Sequence, residues 1–415
     1  MNTFLLIIAI ITIVQSMYNI FIMIWAWNDP SNAELTRPPS TYLEPTKTFT
    51  VILPAWKEEF FDQTIMSCSR FNYPVDKYEV LIPLRVQDKD TIAIAEAAVK
   101  RVGRNNFRII LVNDEPRNKP NQLNWALNQA KGEVVTIFDS EDDPSMELLN
   151  IINTKMLQTN ADIVQSNVQL VNYNDKWFSV LNCMEYYFWF KSSLNYFAEN
   201  DILPLAGNTV FLKTSLVKKL GGWDESCLTE DGELGLRLAT VNAKFEVIYD
   251  AKHATLEETP NTTDQFIKQR TRWIQGFFHI FLKGKWLKLN SLKKKLIFIY
   301  ILLWPVLQSI FVFYLVLVLV IGAFFKIDLL VSVMSIIPFC LLLIQLLIIN
   351  YGIFNFTKEY KLKYHWNTPL MTIVTFIPYQ LILTWASIRA AYRELTNQTN
   401  WEKTIHTNAH RKSEI

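Results

Sequence analysis

The chain has 415 residues, with 41 basic side chains against 39 acidic ones and a formal net charge of +2. That near balance argues against bulk binding to nucleic acid, and the length suits one large domain or two ordinary ones. Half of the residues are hydrophobic, and they are not spread evenly.

Residues 3–27, "TFLLIIAIITIVQSMYNIFIMIWAW", carry no charge and are long enough to cross a bilayer, with Trp25 and Trp27 as interfacial anchors. The run lacks a basic start and a small-x-small cleavage site, so it is expected to be a retained anchor rather than a signal peptide. A Pro-rich connector, "NDPSNAELTRPPSTYLEPTK" (28–47), follows it and leads into a water-soluble block of about residues 46–285.

That block opens with "FTVILPAW", an apolar run halted by Pro54, and the helically spaced "KEEFFDQTIMSCSRF". "YEVLIPLRV" and "FRIILVN" read as further strands, followed by the helices "TIAIAEAAVKRV" and "PNQLNWALNQAKG", the second with Gly132 as its stop. "EVVTIF" is a fourth strand. Such alternation predicts an α/β fold with a doubly wound, largely parallel sheet, and ligands bind beyond the carboxyl ends of its strands.

"FDSEDDP" (138–144) sits at one of those ends. Adjacent carboxylates repel, and an unpaired buried one is costly. Asp143 and Pro144 could start a helix over "PSMELLNII". Alternatively, Asp139 and Glu141 share a divalent cation. The place at a strand end favours the cation.

The second half is less regular. "ADIVQSNVQLV" reads as a strand, "WFSVLNCMEYYFWFKSSLNYF" as an aromatic helix, "PLAGNTVFL" as a glycine-containing loop and "FEVIYDA" as a strand. No strand is followed by a G-x-G-x-x-G or Walker pattern, and no nucleophile elbow occurs. Cys68, Cys183, Cys227 and Cys340 have no metal or redox spacing and are expected to be free, buried thiols.

"KGKWLKLNSLKKK" (283–295) is a basic amphipathic stretch suited to an anionic cytoplasmic leaflet. It places the soluble block in the cytosol and the N-terminus outside. Apolar stretches follow at about 297–325, 329–354 and 368–388. The first two read as spans. Pro378 and several polar residues interrupt the third, which either crosses or lies in the interface. A crossing would leave Arg389, Arg393, Lys403 and Arg411 outside, against the charge rule.

Transfer of a sugar from a nucleotide sugar needs a cation for the departing diphosphate, a base for the acceptor hydroxyl, and groups that hold the nucleotide. Asp139 and Glu141 are candidates for the metal, Asp231 in "LTEDGELGLRL" for the base, and Lys119 for the diphosphate.

At this point the chain resembles the membrane-bound, processive-type members of glycosyltransferase family 2, the cellulose, chitin and hyaluronan synthase-like enzymes. The likeness runs from "VILPAWKEE" to "QRTRWIQG" and takes in both flanking membrane regions. Pro54, Ala55 and Glu58 stand in the family's nucleotide-binding first strand, and Lys119 and Asn124 in its K-x-x-x-L-N element. "DSE" replaces D-x-D, with Glu141 for the second acid. "LTED" brings Glu230 and Asp231 onto the T-E-D motif, and Gln269, Arg272 and Trp273 complete Q-x-x-R-W. The resemblance implies a GT-A type, nucleotide-sugar-binding, doubly wound mixed sheet plus transmembrane α-helices. It also implies Asp231 as catalytic base, and Mg²⁺ or Mn²⁺ at Asp139 and Glu141. The donor would be a UDP-sugar and the acceptor a growing glycan or a lipid-linked sugar; Glu230, Gln269, Arg272 and Trp273 would lie at the acceptor end. The family's paired acid after the second strand is replaced by "RVQDKDT", where Asp88 is the nearest match for a uridine-side carboxylate.

The expected organisation is an anchor (1–27), a linker (28–45), a cytosolic catalytic domain (46–285), an interfacial segment (286–296), a region of two or three spans (297–392) and a tail (393–415). In the tail, "WEKTIHT" (401–407) resembles the W-x-K-T-x-H end of bacterial exopolysaccharide and phage-adsorption glycosyltransferases. An integral protein of a bacterial plasma membrane is expected, making polymer or adding one sugar to a lipid carrier, with self-association left open.

Overall fold

A computed structural model describes residues 2–398 and Glu402, so the rest of the "WEKTIHT" motif lies outside the described residues. Helix α1 (Asn2–Asn28) and the short α2 (Pro30–Leu35) precede β1 (Phe49–Ile52), α3 (Phe61–Ser69), β2 (Tyr78–Arg85), α4 (Lys89–Val102), β3 (Phe107–Val112), α5 (Lys119–Gln129), β4 (Val134–Ile137) and α6 (Leu148–Thr159). The second half holds β5 (Ile163–Ser166), β6 (Val168–Leu170), α7 (Ser179–Phe188), α8 (Leu194–Ala198), β7 (Val210–Lys213), α9 (Thr214–Lys219), α10 (Glu230–Thr240), β8 (Phe245–Ile248) and β9 (Thr255–Glu257). Four longer helices close the chain: α11 (Thr263–Leu282), α12 (Leu292–Phe324), α13 (Leu329–Glu359) and α14 (Thr368–Leu395).

Seven strands form one sheet in the order β3-β2-β1-β4-β7-β5-β8, and β6 pairs with β9 apart from it. β1 to β4 are parallel, as the alternation requires. β7 enters antiparallel between β4 and β5, which makes the sheet mixed. Every position of β1, β4 and β5 is buried, because helices cover both faces. The single strand expected over "ADIVQSNVQLV" is broken at Asn167. Its carbonyl accepts from Thr255 N–H at 3.0 Å, and β6 leaves for β9.

Two further expectations are corrected. α5 ends at Ala130 in an extended conformation, so Gly132 is not its left-handed stop. Glycine is required at 132 for another reason: a Cβ would lie 2.5 Å from the Phe49 carbonyl carbon of the neighbouring strand. α6 starts at Leu148 rather than at Asp143–Pro144. Asp143 instead accepts from Ser67 Oγ at 2.6 Å and lies 3.5 Å from Arg70.

One hydrophobic core lies on each side of the sheet, and one of them includes Ile22 of α1 and Ile297, Phe298 and Ile301 of α12. The α/β body and the apolar helices therefore share a core. Four helices, α1, α12, α13 and α14, are long and apolar enough to cross a membrane. Cys68, Cys183 and Cys227 are buried and unbridged, whereas Cys340 is exposed on α13, contrary to the burial expected for it.

α1 and α13 run parallel, both starting where Asn2 bonds to Asp328 at the end far from the sheet, and α12 runs antiparallel to them. α14 is placed differently. Just before it, the Lys363 carbonyl accepts from Tyr173 of the α/β body. Near its end, Arg393 donates to Gln275 at 3.0 Å, and Glu394 lies 3.1 Å from His279, both on α11. Between those ends Tyr379 packs on Phe266, and Ala386 and Ala390 on Ile274. Both ends of α14 thus touch the α/β body, while Leu370, Val374, Ile377, Leu381, Trp385 and Ile388 are exposed along it. An apolar face opposite a docked face is the pattern of a helix lying in the interface. A helix so placed would keep Arg389 and Arg393 on the side of the α/β body, in line with the charge rule. In a cysteine-free background, cysteines at Asn397 and Lys361 are expected to react with an impermeant maleimide from the same side of the membrane. A cysteine at Lys326 should react from the other side; labelling of 397 together with 326 would contradict the arrangement.

Candidate functional site

One cavity of about 1170 Å³ opens beyond the ends of β1 and β4 and continues between α1, α12, α13 and α14. Pro54, Ala55 and Glu58 line it after β1, Asp139 and Glu141 after β4, and Lys119 from the first turn of α5. Glu230, Asp231, Gln269, Arg272 and Trp273 line it as well. Sequence-distant motifs therefore meet around one space.

Lys119 is positioned by its own helix start. The Asn118 side chain caps α5, accepting from Asn121 N–H at 3.1 Å. Arg85 holds the preceding loop through the carbonyls of Asp114, Pro116 and Asn118 at 2.7, 2.9 and 3.1 Å. The ammonium so placed pairs with Asp139 and donates to the Gly207 carbonyl at 3.2 Å. Burial works against its charge, but Asp139, Glu230 and Asp231 outweigh that and raise its pKa above the ordinary lysine value.

Asp231 stands in the first turn of α10, where its Oδ1 accepts from Gly232 N–H at 2.7 Å. Its Oδ2 faces Gly207, where a Cβ would lie only 3.1 Å away. Burial raises its pKa, against the lowering effects of Gly232 N–H and Lys119. Burial and then the neighbouring Asp231 push Glu230 up to about 7. α11 presses on this turn from behind: a Cβ on Gly276 would lie 2.2 Å from Thr229 Oγ1. The T-E-D and Q-x-x-R-W stretches are thereby fixed against each other.

The acidic run after β4 separates into two parts. Asp142 is fully buried and accepts from Asp139 N–H and from Asn208 Nδ2, at 2.8 and 2.9 Å. Burial raises its pKa strongly, followed by Glu257, Asp139 and Glu141, and its two hydrogen-bond partners make it a brace of the loop. Asp139 and Glu141 face the cavity, where Glu257 of β9 joins them. Burial, Glu141 and Asp139 push Glu257 up to about 7. No local pattern in the sequence marks Glu257; it reaches the site only because β6 leaves the main sheet to pair with β9.

A divalent cation fits this donor set in a particular way. Among the described residues no three acidic, histidine or cysteine side chains gather closely enough to enclose a metal. Mg²⁺-type sites take one or two carboxylates and fill the rest of the shell with substrate phosphate and water. Asp139 and Glu141 suit that open arrangement.

Two expected nucleotide contacts lie elsewhere. Asp88 caps α4 and takes the N–H groups of Lys57 and Thr91, at 2.5 and 3.4 Å. It is absent from the cavity wall and reaches the site only by holding the loop that carries Ala55 and Glu58. Asn124 also lies off the wall. It accepts from Trp223 N–H and donates to Trp223 O and Glu225, all at 2.9 Å, tying down the approach to T-E-D. Arg270, between the Q-x-x-R-W residues, pairs with Glu185 at 2.5 Å and covers the Trp273 ring at 4.7 Å.

A family model described as glycosyltransferase like family 2 matches residues 45–276. A poly-beta-1,6-N-acetyl-D-glucosamine synthase of Staphylococcus epidermidis is 23% identical over 61% of this chain and 59% of its own length. A beta-monoglucosyldiacylglycerol synthase of Trichormus variabilis is 24% identical over 51% of this chain and 44% of its own length. The chain thus matches less than two thirds of the length of these curated relatives. A mannosyltransferase from Pyrobaculum calidifontis, solved with GDP-Man and Mn²⁺, superposes with a TM-score of 0.60 at 17% identity, covering 94% of this chain and 99% of that one. This likeness establishes the fold as GT-A-like.

The contact between α10 and α11 gives a direct test. Gly276→Ala must displace Thr229 and is expected to cost about 1–3 kcal/mol, the usual range for overpacking. Gly232→Ala meets only Ile280, at an ordinary 3.6 Å, and should be neutral or slightly stabilising, as helical Gly→Ala changes generally are. Thermal unfolding in detergent measures both; equal effects would contradict the close approach.

Proposed function

We propose that this chain, which belongs to glycosyltransferase like family 2, is an inverting enzyme that uses a cytosolic UDP-sugar to build a β-linked polysaccharide. The observation that carries the reading is the convergence of Lys119, Asp139, Glu141, Asp231 and Arg272 on a cavity that continues among apolar helices. Residues 46–285 are read as the catalytic domain, held on the cytosolic face by the basic stretch 283–295.

In a single displacement, Asp231 takes the proton of the acceptor hydroxyl as its oxygen bonds to the anomeric carbon. The bond from that carbon to the diphosphate oxygen breaks, and UDP leaves with the electron pair, which inverts the centre. Lys119 and Arg272 bring positive charge to the side where the diphosphate departs. Mg²⁺ or Mn²⁺, when bound, would be held by Asp139 and Glu141 and would neutralise the leaving diphosphate. Gln269 and Trp273 hold the acceptor, the indole offering a sugar a flat apolar surface.

Polymer synthesis is supported by the Q-x-x-R-W residues in the cavity wall and by the likeness to the polysaccharide synthase. A second reading, one sugar placed on a lipid, is supported by the likeness to the glycolipid synthase. Sizing the products made by purified enzyme from single UDP-sugars tests both. A ladder of lengths supports the first reading, a one-sugar lipid the second, and no UDP release from any donor overturns both.

Two variants probe the assigned roles. Asp231→Asn is expected to lose roughly a hundred- to ten-thousandfold in turnover, the worth of a positioned base, while still binding UDP in calorimetry. Asp139→Asn should abolish the rise in unfolding temperature that Mg²⁺ or Mn²⁺ with UDP gives the wild type. An undiminished rise would remove Asp139 from the metal site.

A further inference from the structure

Glu257 faces the cavity but has no part in the transfer step, and its role follows from how β9 is held. On one edge β9 pairs with β6, with Leu170 opposite Glu257. On the other edge Leu256 forms an antiparallel bridge with Asp143 of the acidic loop. Side chains alternate along a strand, so Thr255 and Glu257 share a face. Thr255 Oγ1 lies 2.9 Å from Thr209 Oγ1, and Glu257 Oε1 accepts from the neighbouring Asn208 amide at 2.5 Å.

Asn208 is the junction. Its backbone carbonyl accepts from the buried Gln165 amide at 3.1 Å, which fixes the residue in place. Of the two hydrogens on its Nδ2, one serves both oxygens of Asp142, at 2.9 Å each, and the other serves Glu257. Asp142 Oδ2 in turn accepts from the Asp139 N–H at 2.8 Å. The Asp142 and Glu257 carboxyl groups also lie within hydrogen-bonding reach of each other. A line of contacts thus runs from β9 through one amide to the backbone of Asp139. Asn208 and Asp142 are both buried, where hydrogen bonds are stronger than at the surface.

We propose that Asn208 and Glu257 are positioning residues for the cation: acting through Asp142, they set the direction in which Asp139 presents its carboxylate beside Glu141. This rests on the reading of Asp139 and Glu141 as the holders of Mg²⁺ or Mn²⁺. Glu257 acts through the bond it makes and not through its charge, because its side chain is long enough for Oε1 to meet the Asn208 amide. Losing a partner that orients a metal-binding carboxylate weakens metal affinity by roughly ten- to a hundredfold.

Two variants of Glu257 separate the bond from the charge. Glu257→Gln keeps the length and an oxygen for Asn208, and its N–H can serve Asp142, but the charge is gone. Glu257→Asp keeps the charge and draws the carboxylate back by one methylene. Asn208→Asp removes the donating amide itself. Mn²⁺ is titrated into the full chain in detergent with UDP present, and free Mn²⁺ is read by electron paramagnetic resonance. The Mn²⁺ Kd of Glu257→Gln is expected within about threefold of the wild type, and those of Glu257→Asp and Asn208→Asp raised about tenfold or more. The Kd for UDP without metal, measured by calorimetry, should stay within about twofold throughout, as for a site that does not share these contacts; a merely structural role would move it. The Glu257 pair decides the matter even where Asn208→Asp fails to fold. Unchanged Mn²⁺ affinity in Glu257→Asp, a larger loss in Glu257→Gln than in Glu257→Asp, or metal-free UDP binding that weakens as much as Mn²⁺ binding would overturn the proposal. Absence of Mn²⁺ binding by the wild type with UDP would instead overturn the cation reading of Asp139 and Glu141, a result distinct from binding that ignores Asn208 and Glu257.

Discussion

Negative charge gathered in one half-buried cavity is the constraint around which this chain is organised. Asp139, Glu141, Glu230, Asp231 and Glu257 share one cavity, and Lys119 and Arg272 stand among them. Charges so placed persist only if each is paired, braced or shifted in pKa. Each of these devices occurs here. Lys119 pairs with Asp139, the Asp139 N–H and the Asn208 amide brace Asp142, and Glu230 and Glu257 are pushed up to about 7. A site poised in this way favours the arrival of positive charge from a cation.

The scaffold serves that constraint through close backbone approaches rather than through bulk. Gly207 brings a carbonyl to Lys119 and leaves room for Asp231, and Gly276 lets α11 rest on Thr229. Asn118 and Asn124, at the start and middle of α5, both bond to the segment before Thr229, through Glu225 O at 2.7 Å and Trp223 O at 2.9 Å. Lys119 and Asp231 are therefore held by the same helix, although they lie far apart in sequence. Preorganisation of this kind keeps opposed groups in register without a reorganisation cost at the moment of reaction.

The membrane helices continue the site. Ile22, Ile297 and Ile301 belong to the core beneath the sheet, and the Ser192 hydroxyl bonds to the Ile22 carbonyl at 2.8 Å. The cavity beyond the ends of β1 and β4 thus runs on between the apolar helices. α14 lies along α11 with its apolar residues outward.

Much of this was legible in the residues alone, wherever chemistry is local. Apolar runs of bilayer length, the strand–helix alternation, Lys119 at a helix start, and the acids after β4 and at the start of α10 are properties of short windows. Short windows set propensity, capping and periodicity. Other features depend on distant partners. The arrest of β5 at Asn167 sends Glu257 into the site. Asp88 and Asn124 become braces because backbone N–H and carbonyl groups reach them first. Asp143 loses its capping role to Ser67, and α14 packs along α11. The sequence by itself determined which groups carry charge and which stretches shun water. Tertiary structure decided which of those charges meet, because the energy of a buried carboxylate depends on neighbours that no local pattern specifies.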